Sequence, residues 1–322
     1  MIKNKEKLLV AFLALGLIFG GCSKKNDENN SSSDKTIPYS NKDSNKSNEK
    51  NNSSETSKKD QGKIVEGSIN SEILKQVWKY KIYLPSDYDG KSEEKYPVLY
   101  MLHGLGENSS SILEKSNTKD ILDKIMKYKD KKMLVVFVDG FSSFFIDSDY
   151  DKNMESAIKE ELIKEIDKKY NTDAKAKSRA IGGISVGGYG AASISLKNPN
   201  LFSKALLISP TLWYKLDEDS LIRRNYMAFS DGNQTWSDEV YKEKFPTNFI
   251  NAESKNIDFY IRSAEGDSTI RIEDIEKFNK KLEQAEVNTE FKKDNKEFDH
   301  NYDYWNKITE ESYLWVLDEF EK

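Results

Sequence analysis

The sequence predicts an α/β protein, with a mostly parallel sheet that has helices on both faces and antiparallel strands at its N-terminal edge. Three observations predict it. Short apolar runs are typical of strands buried on both faces, and segments with the apolar spacing of amphipathic helices lie between these runs. One segment in which polar and apolar residues alternate precedes them. Strand and helix alternate in this way through most of residues 63–322. Such alternation favours a parallel sheet covered by helices, and about 260 residues is an ordinary size for one open α/β sheet.

The strands are predicted from two patterns. Residues Gln76 to Leu84 alternate and place Trp78, Tyr80 and Ile82 on one face, as in a half-exposed antiparallel strand. Five later runs are almost continuously apolar, which indicates strands buried on both faces. These runs are Val98 to Leu102, Met133 to Val138, Ala180 to Ile184, Ala205 to Ile208 and Ile257 to Ile261.

The helices are predicted from apolar side chains spaced three and four residues apart. One such period runs from Met154 to Ile166, and a second runs from Ile272 to Leu282. The segment from Pro210 to Asn251 interrupts the alternation and is rich in aromatic residues. Because it lies between two predicted strands, we expect it to form a cap over a site.

The N-terminal segment has the pattern of an export signal. Three lysines precede an apolar stretch from Leu8 to Phe19, which is followed by Gly20, Gly21 and Cys22. The stretch is short for a membrane span and is typical of a secretory signal. The pattern resembles a bacterial lipoprotein signal, which implies a lipid on Cys22 and a location at the extracellular face of the cell membrane. The alternative is a plain secretory signal with an incidental cysteine.

Three regions are therefore expected along the chain. Residues 1–22 form the signal and lipidation site, and residues 23–62 form a tether rich in Ser, Asn and Lys. The tether has too few apolar residues to offset its chain entropy, so we expect it to be disordered. Residues 63–322 form the folded domain.

The composition excludes several function classes. The 322 residues carry a formal net charge of −5 with both signs intermixed, so a nucleic-acid-binding surface is not expected. One Cys excludes a disulfide within the chain, and one Cys with two His cannot complete a Cys/His zinc site, so no metal is expected. Imidazole chemistry near neutral pH is restricted to His103 and His300.

A candidate nucleophile lies between a predicted strand and a predicted helix. The segment Gly183-Ile184-Ser185-Val186-Gly187 follows a buried strand and opens a helix that extends to Leu196. In a sharp strand-to-helix turn the serine is strained, its neighbours must be small, and its hydroxyl is exposed above the sheet edge. The alternative is a glycine-rich turn that only packs helix against strand.

A serine needs a base, and the base needs a third group that orients it. In this strand–turn–helix setting the order along the chain is Ser, acid, His, which selects His300 and not His103 as the base. The acid is expected in the loop that follows the strand ending at Ile261. Asp267 is the preferred candidate, and Glu265 in the same loop is the alternative acid.

The oxyanion that forms during acyl transfer needs hydrogen-bond donors. The loop His103-Gly104-Leu105-Gly106 follows a buried strand and turns at its two glycines. In such a turn the amide of Leu105 can face the site. The amide of Val186, directly after the candidate nucleophile, is the second expected donor of the oxyanion hole. His103 is expected to shape this loop by bonding nearby backbone groups.

Several motifs together resemble an esterase family of the α/β-hydrolase fold. They are Ile82 to Pro85, Tyr96 to Gly104, Gly183 to Gly190, and His300 with Trp305 behind it. The family includes feruloyl and acetyl xylan esterases, S-formylglutathione hydrolases, enterochelin esterases and mycolyltransferases. The resemblance implies Ser185 as nucleophile, His300 as base, Asp267 as acid, and the amides of Leu105 and Val186 as oxyanion hole. Val186 departs from the Met often found there, and Glu265 beside Asp267 leaves the acid open.

The expected function is that of a surface-anchored serine esterase without a cofactor. It would hydrolyse carboxylic esters through an acyl-enzyme, and the external location favours acyl groups on a polysaccharide or oligosaccharide. Aromatic residues of the 210–251 segment, with Phe141, Phe144 and Phe145, would either stack on sugar or phenolic rings or form the core of the cap. Two alternatives are an acyltransferase with the same triad and a non-catalytic surface binding module.

Overall fold

The structure is a computed structural model that describes residues 61–91, 93–218, 220–225 and 227–320. The predicted signal, Cys22 and nearly all of the predicted tether lie outside these residues. Within the described part of the chain, no helix has the length and apolar character needed to cross a membrane. The same residues contain no cluster of three or more side chains suited to hold a metal ion.

One sheet of eight strands forms the centre of the fold, in the order β1-β2-β4-β3-β5-β6-β7-β8. The pairs β1/β2 and β2/β4 are antiparallel, and all other neighbouring pairs are parallel. This confirms the predicted fold class, including the antiparallel N-terminal edge. The strands are β1 (Lys63–Ser71), β2 (Gln76–Leu84), β3 (Val98–Leu102), β4 (Leu134–Val138), β5 (Arg179–Ile184), β6 (Lys204–Ile208), β7 (Asp258–Ala264) and β8 (Thr289–Asp294).

Helices lie between most of these strands. Among the described residues they are α1 (Ser111–Lys115), α2 (Thr118–Lys129), α3 (Met154–Ala157), α4 (Ile163–Lys169), α5 (Val186–Lys197), α6 (Leu221–Asn225), α7 (Asp238–Glu243), α8 (Ile272–Gln284) and α9 (Tyr302–Glu319). A π-helical turn over Ile158–Leu162 joins α3 to α4, so the predicted helical period from Met154 is continuous.

The central strands are buried on both faces, as their apolar runs predict. Along β3, Tyr100 belongs to one hydrophobic core, whereas Leu99 and Met101 belong to the other. Helices α5 and α8 contribute to the first core, and α2 and α9 contribute to the second. The edge strands have weaker patterns: only two residues of β1 are buried and none of β8, because one side of each strand is unpaired.

The segment from 210 to 251 has an aromatic core of its own. The ring of Phe229 lies 4.9 Å from that of Tyr241 and 5.3 Å from that of Trp236, measured between centroids. Phe144 lies 4.9 Å from Phe229 and, like Phe145, is fully buried. For the buried rings Phe144, Phe145, Phe229 and Tyr241, the structure favours a cap core over a stacking surface, since rings buried within the protein cannot stack on a substrate.

Candidate active site

The candidate site lies where the parallel strands end. Ser185 follows β5 directly, the loop 103–107 follows β3, and the loop 265–271 follows β7. The carboxyl ends of parallel strands meet at one edge of the sheet, where open α/β proteins bind their ligands. Residues distant in sequence are brought together at this edge.

Ser185 occupies a strained turn. Its φ is +58° and its ψ is −118°, in a region that residues with a Cβ rarely adopt. Its amide donates to the carbonyl of Ile208 (2.9 Å), which fixes the turn against β6. Gly187 allows the turn to approach β3, because a Cβ there would lie 2.3 Å from the carbonyl oxygen of Leu102. The strand and helix thus hold the Ser185 hydroxyl at the tip of the turn.

Three side chains form a hydrogen-bonded series with Ser185 at one end. The Nε2 atom of His300 lies 2.9 Å from Oγ of Ser185, and its Nδ1 atom lies 2.8 Å from Oδ2 of Asp267. A carboxylate can only accept, so Nδ1 carries the proton in this arrangement and Nε2 is left as the acceptor for the hydroxyl. The geometry therefore allows Ser185 to transfer its proton to His300.

The carboxylate of Asp267 is held in place by its own loop. Its side chain is 0% exposed, and its second oxygen, Oδ1, accepts the amides of Thr269 (2.9 Å) and Ile270 (2.7 Å). Both oxygens therefore have partners, and the orientation towards His300 is fixed.

Glu265, the alternative acid, points elsewhere. Its carboxylate lies 3.1 Å from Nζ of Lys293 and its side chain is partly exposed. The structure therefore places Asp267, and not Glu265, against the imidazole of His300.

The hydrogen bonds of His103 are to backbone groups, and the Asp139 carboxylate lies farther away, 4.0 Å from Nε2. Its Nδ1 atom lies 2.7 Å from the carbonyl oxygen of Gly104, and the amide of Gly140 donates to its Nε2 (2.9 Å). The first contact needs a proton on Nδ1 and the second needs a lone pair on Nε2, so the ring is neutral in this arrangement. Burial lowers the pKa of His103 below its usual 6.5, in agreement with a neutral ring. The loop-shaping contacts expected of His103 are present.

The two expected oxyanion donors lie on loops that approach each other. Val186 is the first residue of α5, where amides have no partner within the helix. The amide of Leu105 makes no hydrogen bond to any residue that the structure describes. A Cβ placed on Gly104 would lie 3.8 Å from the Cβ of Ser185, which brings this loop beside the serine. Leu105 itself is 42% exposed.

An ion-pair network that the sequence analysis missed connects the strand ends to α9. Arg262 makes a bidentate pair with Asp294, with distances of 2.9 and 2.6 Å, and also contacts Glu311. The hydroxyl of Tyr304 donates to the same Asp294 (2.6 Å). The only signal in the sequence was a charged residue that directly follows the apolar run of β7. The network fixes the end of β7, and with it the start of the Asp267 loop, against the helix that follows His300.

Asp299 makes a second link that the sequence analysis missed. Its Oδ1 atom accepts the amide (2.8 Å) and the hydroxyl (2.8 Å) of Ser268 and the amide of His300 (2.7 Å). The amide of Ser268 is the main reason that the pKa of Asp299 lies below its usual value, followed by the amide of His300. The residues next to Asp267 and His300 are therefore joined directly.

Comparisons with known proteins agree with this architecture. Residues 71–310 match the model of the esterase family described as "Putative esterase". An endo-1,4-beta-xylanase/feruloyl esterase of Xylanibacter ruminicola is 33% identical over 157 residues, which cover 46% of this chain and 22% of that protein. The matched region is thus less than a quarter of that relative.

Solved structures with low sequence identity share the fold. A ferulic acid esterase superposes with a TM-score of 0.67 at 21% identity, covering 81% of this chain and 99% of its own. An S-formylglutathione hydrolase from Agrobacterium tumefaciens superposes with a TM-score of 0.60 at 19% identity, covering 81% and 96%. Because the family model matches about three quarters of its length, the chain belongs to this esterase family, and it has the α/β-hydrolase fold.

Proposed function

We propose that the protein is a serine carboxylic ester hydrolase that works through an acyl-enzyme. The observation that carries this proposal is the series Ser185–His300–Asp267, with hydrogen bonds of 2.9 and 2.8 Å, on a strained strand-to-helix turn. A non-catalytic binding module would have no need of a serine held in this conformation with a base at its hydroxyl.

In the proposed reaction, Oγ of Ser185 attacks the ester carbonyl while its proton passes to Nε2 of His300. The negative charge that develops on the carbonyl oxygen is stabilised by the amides of Leu105 and Val186. The tetrahedral intermediate then collapses, the C–O bond to the alcohol breaks, and His300 returns the proton to the departing oxygen. Water, deprotonated by His300, attacks the acyl-enzyme in the same way and releases the acid.

Labelling with a fluorophosphonate tests the nucleophile. We expect the wild-type domain to be labelled and Ser185→Ala to remain unlabelled, with both proteins folded by circular dichroism. An unlabelled but folded wild-type domain would remove the basis for a serine hydrolase and leave a binding function.

The substrate class we propose is an acyl group on carbohydrate, of the acetyl or feruloyl type. It is supported by the relative named as a xylanase/feruloyl esterase and by the expected extracellular location. A groove of about 430 Å³ beside the Asp267 loop supplies a surface for the sugar. Its lining includes Trp213, Ser268 and Arg271, so an aromatic surface and polar groups lie together.

Trp213 offers a test of this substrate assignment. Its indole N–H donates to the carbonyl of Thr269 (3.0 Å), so the ring both lines the groove and supports the acid loop. Trp213→Ala is expected to lower kcat/KM for a feruloylated oligosaccharide more than for methyl ferulate, whereas Trp213→Phe keeps a ring and retains the preference. An equal loss on both substrates would restrict Trp213 to supporting the loop.

We also propose that a lipid on Cys22 anchors the protein to the extracellular face of the cell membrane. The support is the sequence of residues 1–22, where a lysine-rich start, a short apolar stretch and two glycines precede the single cysteine. Cys22→Ser is expected to move the protein from the membrane fraction to the medium. Unchanged membrane association in this variant would contradict a lipid anchor at this position.

A further inference from the structure

Glu107 is a nearly buried acid that the proposed reaction does not use. It follows the Leu105-Gly106 turn in the loop after β3, and its side chain is only 8% exposed. A carboxylate removed from water to this extent is costly unless charged or hydrogen-bonding partners surround it. The partners of Glu107 therefore indicate what this residue does.

The carboxylate of Glu107 gathers donors from three separate segments. Its Oε2 atom accepts the amide of Gly104 (3.0 Å) and the hydroxyl of Tyr302 (3.0 Å), and its Oε1 atom accepts Nζ of Lys115 (2.8 Å). Gly104 belongs to the same loop, Lys115 ends α1, and Tyr302 begins α9 two residues after His300. One side chain thus connects the loop of the expected oxyanion donor to the segment that carries the expected base.

Gly104 lies between Glu107 and Ser185. A Cβ on Gly104 would be 3.3 Å from Oε2 of Glu107 and 3.8 Å from Cβ of Ser185. The amide of Gly104 points to the carboxylate, and the backbone then continues to Leu105, whose amide has no partner among the described residues. The next peptide plane, which carries the Leu105 amide, is held through the Gly104 carbonyl, which lies 2.7 Å from Nδ1 of His103 and accepts the amide of Glu107 (3.3 Å). Glu107 thus contacts both sides of Gly104, through its carboxylate and its amide, and limits where the Leu105 amide can point.

The charges around Glu107 are balanced. A negative charge close to a developing oxyanion would oppose catalysis, but Lys115 forms an ion pair with the carboxylate on the side away from Gly104. Burial, together with the charge of Glu107 and the hydrogen bond to it, raises the pKa of Tyr302 far above its ordinary value. The Tyr302 hydroxyl therefore remains protonated and remains a donor.

We propose that Glu107 is a positioning residue for the esterase reaction, which orients the Leu105 amide by holding Gly104 and joins this loop to the start of α9. This role rests on the proposed ester hydrolysis. It acts through the oxyanion hole, so its loss should weaken transition-state stabilisation and leave ground-state binding of a small ester almost unchanged.

The test compares Glu107→Ala, Glu107→Gln and Tyr302→Phe with wild type, and uses Glu114→Ala on the neighbouring helix as the control. Substrate kinetics are measured with p-nitrophenyl acetate, and binding is measured with a trifluoromethyl ketone, whose adduct with serine places an oxyanion in the hole. Removing a direct oxyanion donor costs about 10²- to 10³-fold in kcat, so loss of its support in Glu107→Ala should cost about 10- to 100-fold, with KM within about twofold.

The same factor should appear in the inhibition constant of the trifluoromethyl ketone. Glu107→Gln keeps an acceptor for Gly104 and Tyr302, so it should recover most of the activity. Tyr302→Phe should lose about three- to tenfold in kcat, in keeping with the loss of one hydrogen bond. Glu114→Ala should match wild type in all measurements.

Two results would overturn the proposal. One is a lowered melting temperature in Glu107→Ala with kcat and ketone affinity unchanged at 25 °C, which would leave Glu107 a structural role only. The other is an unchanged kcat in Tyr302→Phe, which decides the question if Glu107→Ala does not fold. Failure of the esterase function itself would appear differently, as a folded wild-type protein that neither hydrolyses the ester nor reacts with a fluorophosphonate.

Discussion

His103 and His300 are the two histidines of the chain, and the structure gives them opposite surroundings. His103 is enclosed by backbone groups, with the carbonyl of Gly104 on one nitrogen and the amide of Gly140 on the other. His300 has a carboxylate on one nitrogen and a serine hydroxyl on the other. The same ring is therefore fixed as a loop support in one place and is able to exchange a proton in the other.

The partners of each ring, more than its burial, explain this difference. Backbone amides and carbonyls do not titrate, so a ring bonded to them on both sides can only hold a conformation. A carboxylate stabilises an imidazolium, and a hydroxyl can supply the proton that forms it. The comparison predicts that changes at the His300 side affect the chemical step most, whereas changes at the His103 side affect mainly folding stability.

The largest effect is expected from His300→Ala. Without the imidazole no group takes the proton of Ser185, and kcat for p-nitrophenyl acetate should fall by about 10⁴-fold or more. The unfolding midpoint in urea should decrease moderately, because the side chain is only 12% exposed and its removal leaves Oδ2 of Asp267 without this partner, but the protein should stay folded. Adding Ser185→Ala to this variant should cause almost no further loss, since the two groups act as a unit. A residual rate above one-tenth of wild type would contradict the role of His300.

Asp267→Asn should follow closely, with a decrease in kcat of about 10⁴-fold. An amide at this position favours the wrong tautomer of His300, with the proton directed at Ser185. Glu265→Gln is the matched control in the same loop, and it should stay within about twofold of wild type, because Glu265 pairs with Lys293 at the surface. The opposite pattern, with full activity in Asp267→Asn and loss in Glu265→Gln, would reassign the acid.

His103→Ala should shift the effect from chemistry to stability. It leaves the buried amide of Gly140 without a partner, at a cost of about 1 to 3 kcal/mol, and leaves the carbonyl of Gly104 with only the amide of Glu107 (3.3 Å). We expect a clear decrease in the free energy of unfolding in urea and only about a tenfold decrease in kcat. A decrease in kcat as large as that of His300→Ala, with normal stability, would remove the distinction between the two rings.

The pH dependence of stability should also depend on His103. Burial lowers its pKa in the folded state below the usual 6.5, so the unfolded chain binds the proton first as the pH decreases. Stability from this group is therefore fully present above about pH 6.5 and is lost as the pH falls from there towards the folded-state pKa. Urea unfolding at pH 7.5 and 5.5 should show a larger loss for wild type than for His103→Gln; equal losses would contradict this assignment.

The predictable and unpredictable parts of this site differ in the kind of signal that each needs. Ser185 and His300 have local patterns, a strand-to-helix turn and a position before the last helix, and the order along the chain linked them. Asp267 and Glu265 share one loop, and only the direction of each side chain separates them. The links that Glu107 and Asp299 make between segments have no local signal, because the partners in those links, Tyr302 and Ser268, lie 195 and 31 residues away.

The fold shows the same division. The central strands were predictable because burial on both faces requires a continuous apolar run, as in β4 with all five residues buried. Strand β1 was not predictable from an apolar run, since only two of its residues, Gly67 and Ser71, are buried. A strand at the sheet edge needs a partner on one side only, so its sequence can remain polar.

The smallest effect is expected at Asp299, which supports the His300 side without contacting its ring in the structure. Asp299→Asn weakens the acceptor for Ser268 and for the amide of His300, and kcat should fall only about two- to fivefold, since exposed contacts are screened by water.

The pH dependence of stability gives a second measurement at Asp299. Because hydrogen bonds lower the pKa of Asp299, the stability that this group contributes is present above its usual pKa of 3.8 and is lost as the pH falls through the lower folded-state pKa. Melting temperatures between pH 3 and 6 should therefore fall less steeply for Asp299→Asn than for wild type. Ser268→Ala is the matched variant, because it removes the hydroxyl and keeps the amide, and it should have about half the effect on kcat. Identical melting curves and identical kcat in all three proteins would show that the two loops are held without Asp299, by the network of Arg262 and Asp294 alone.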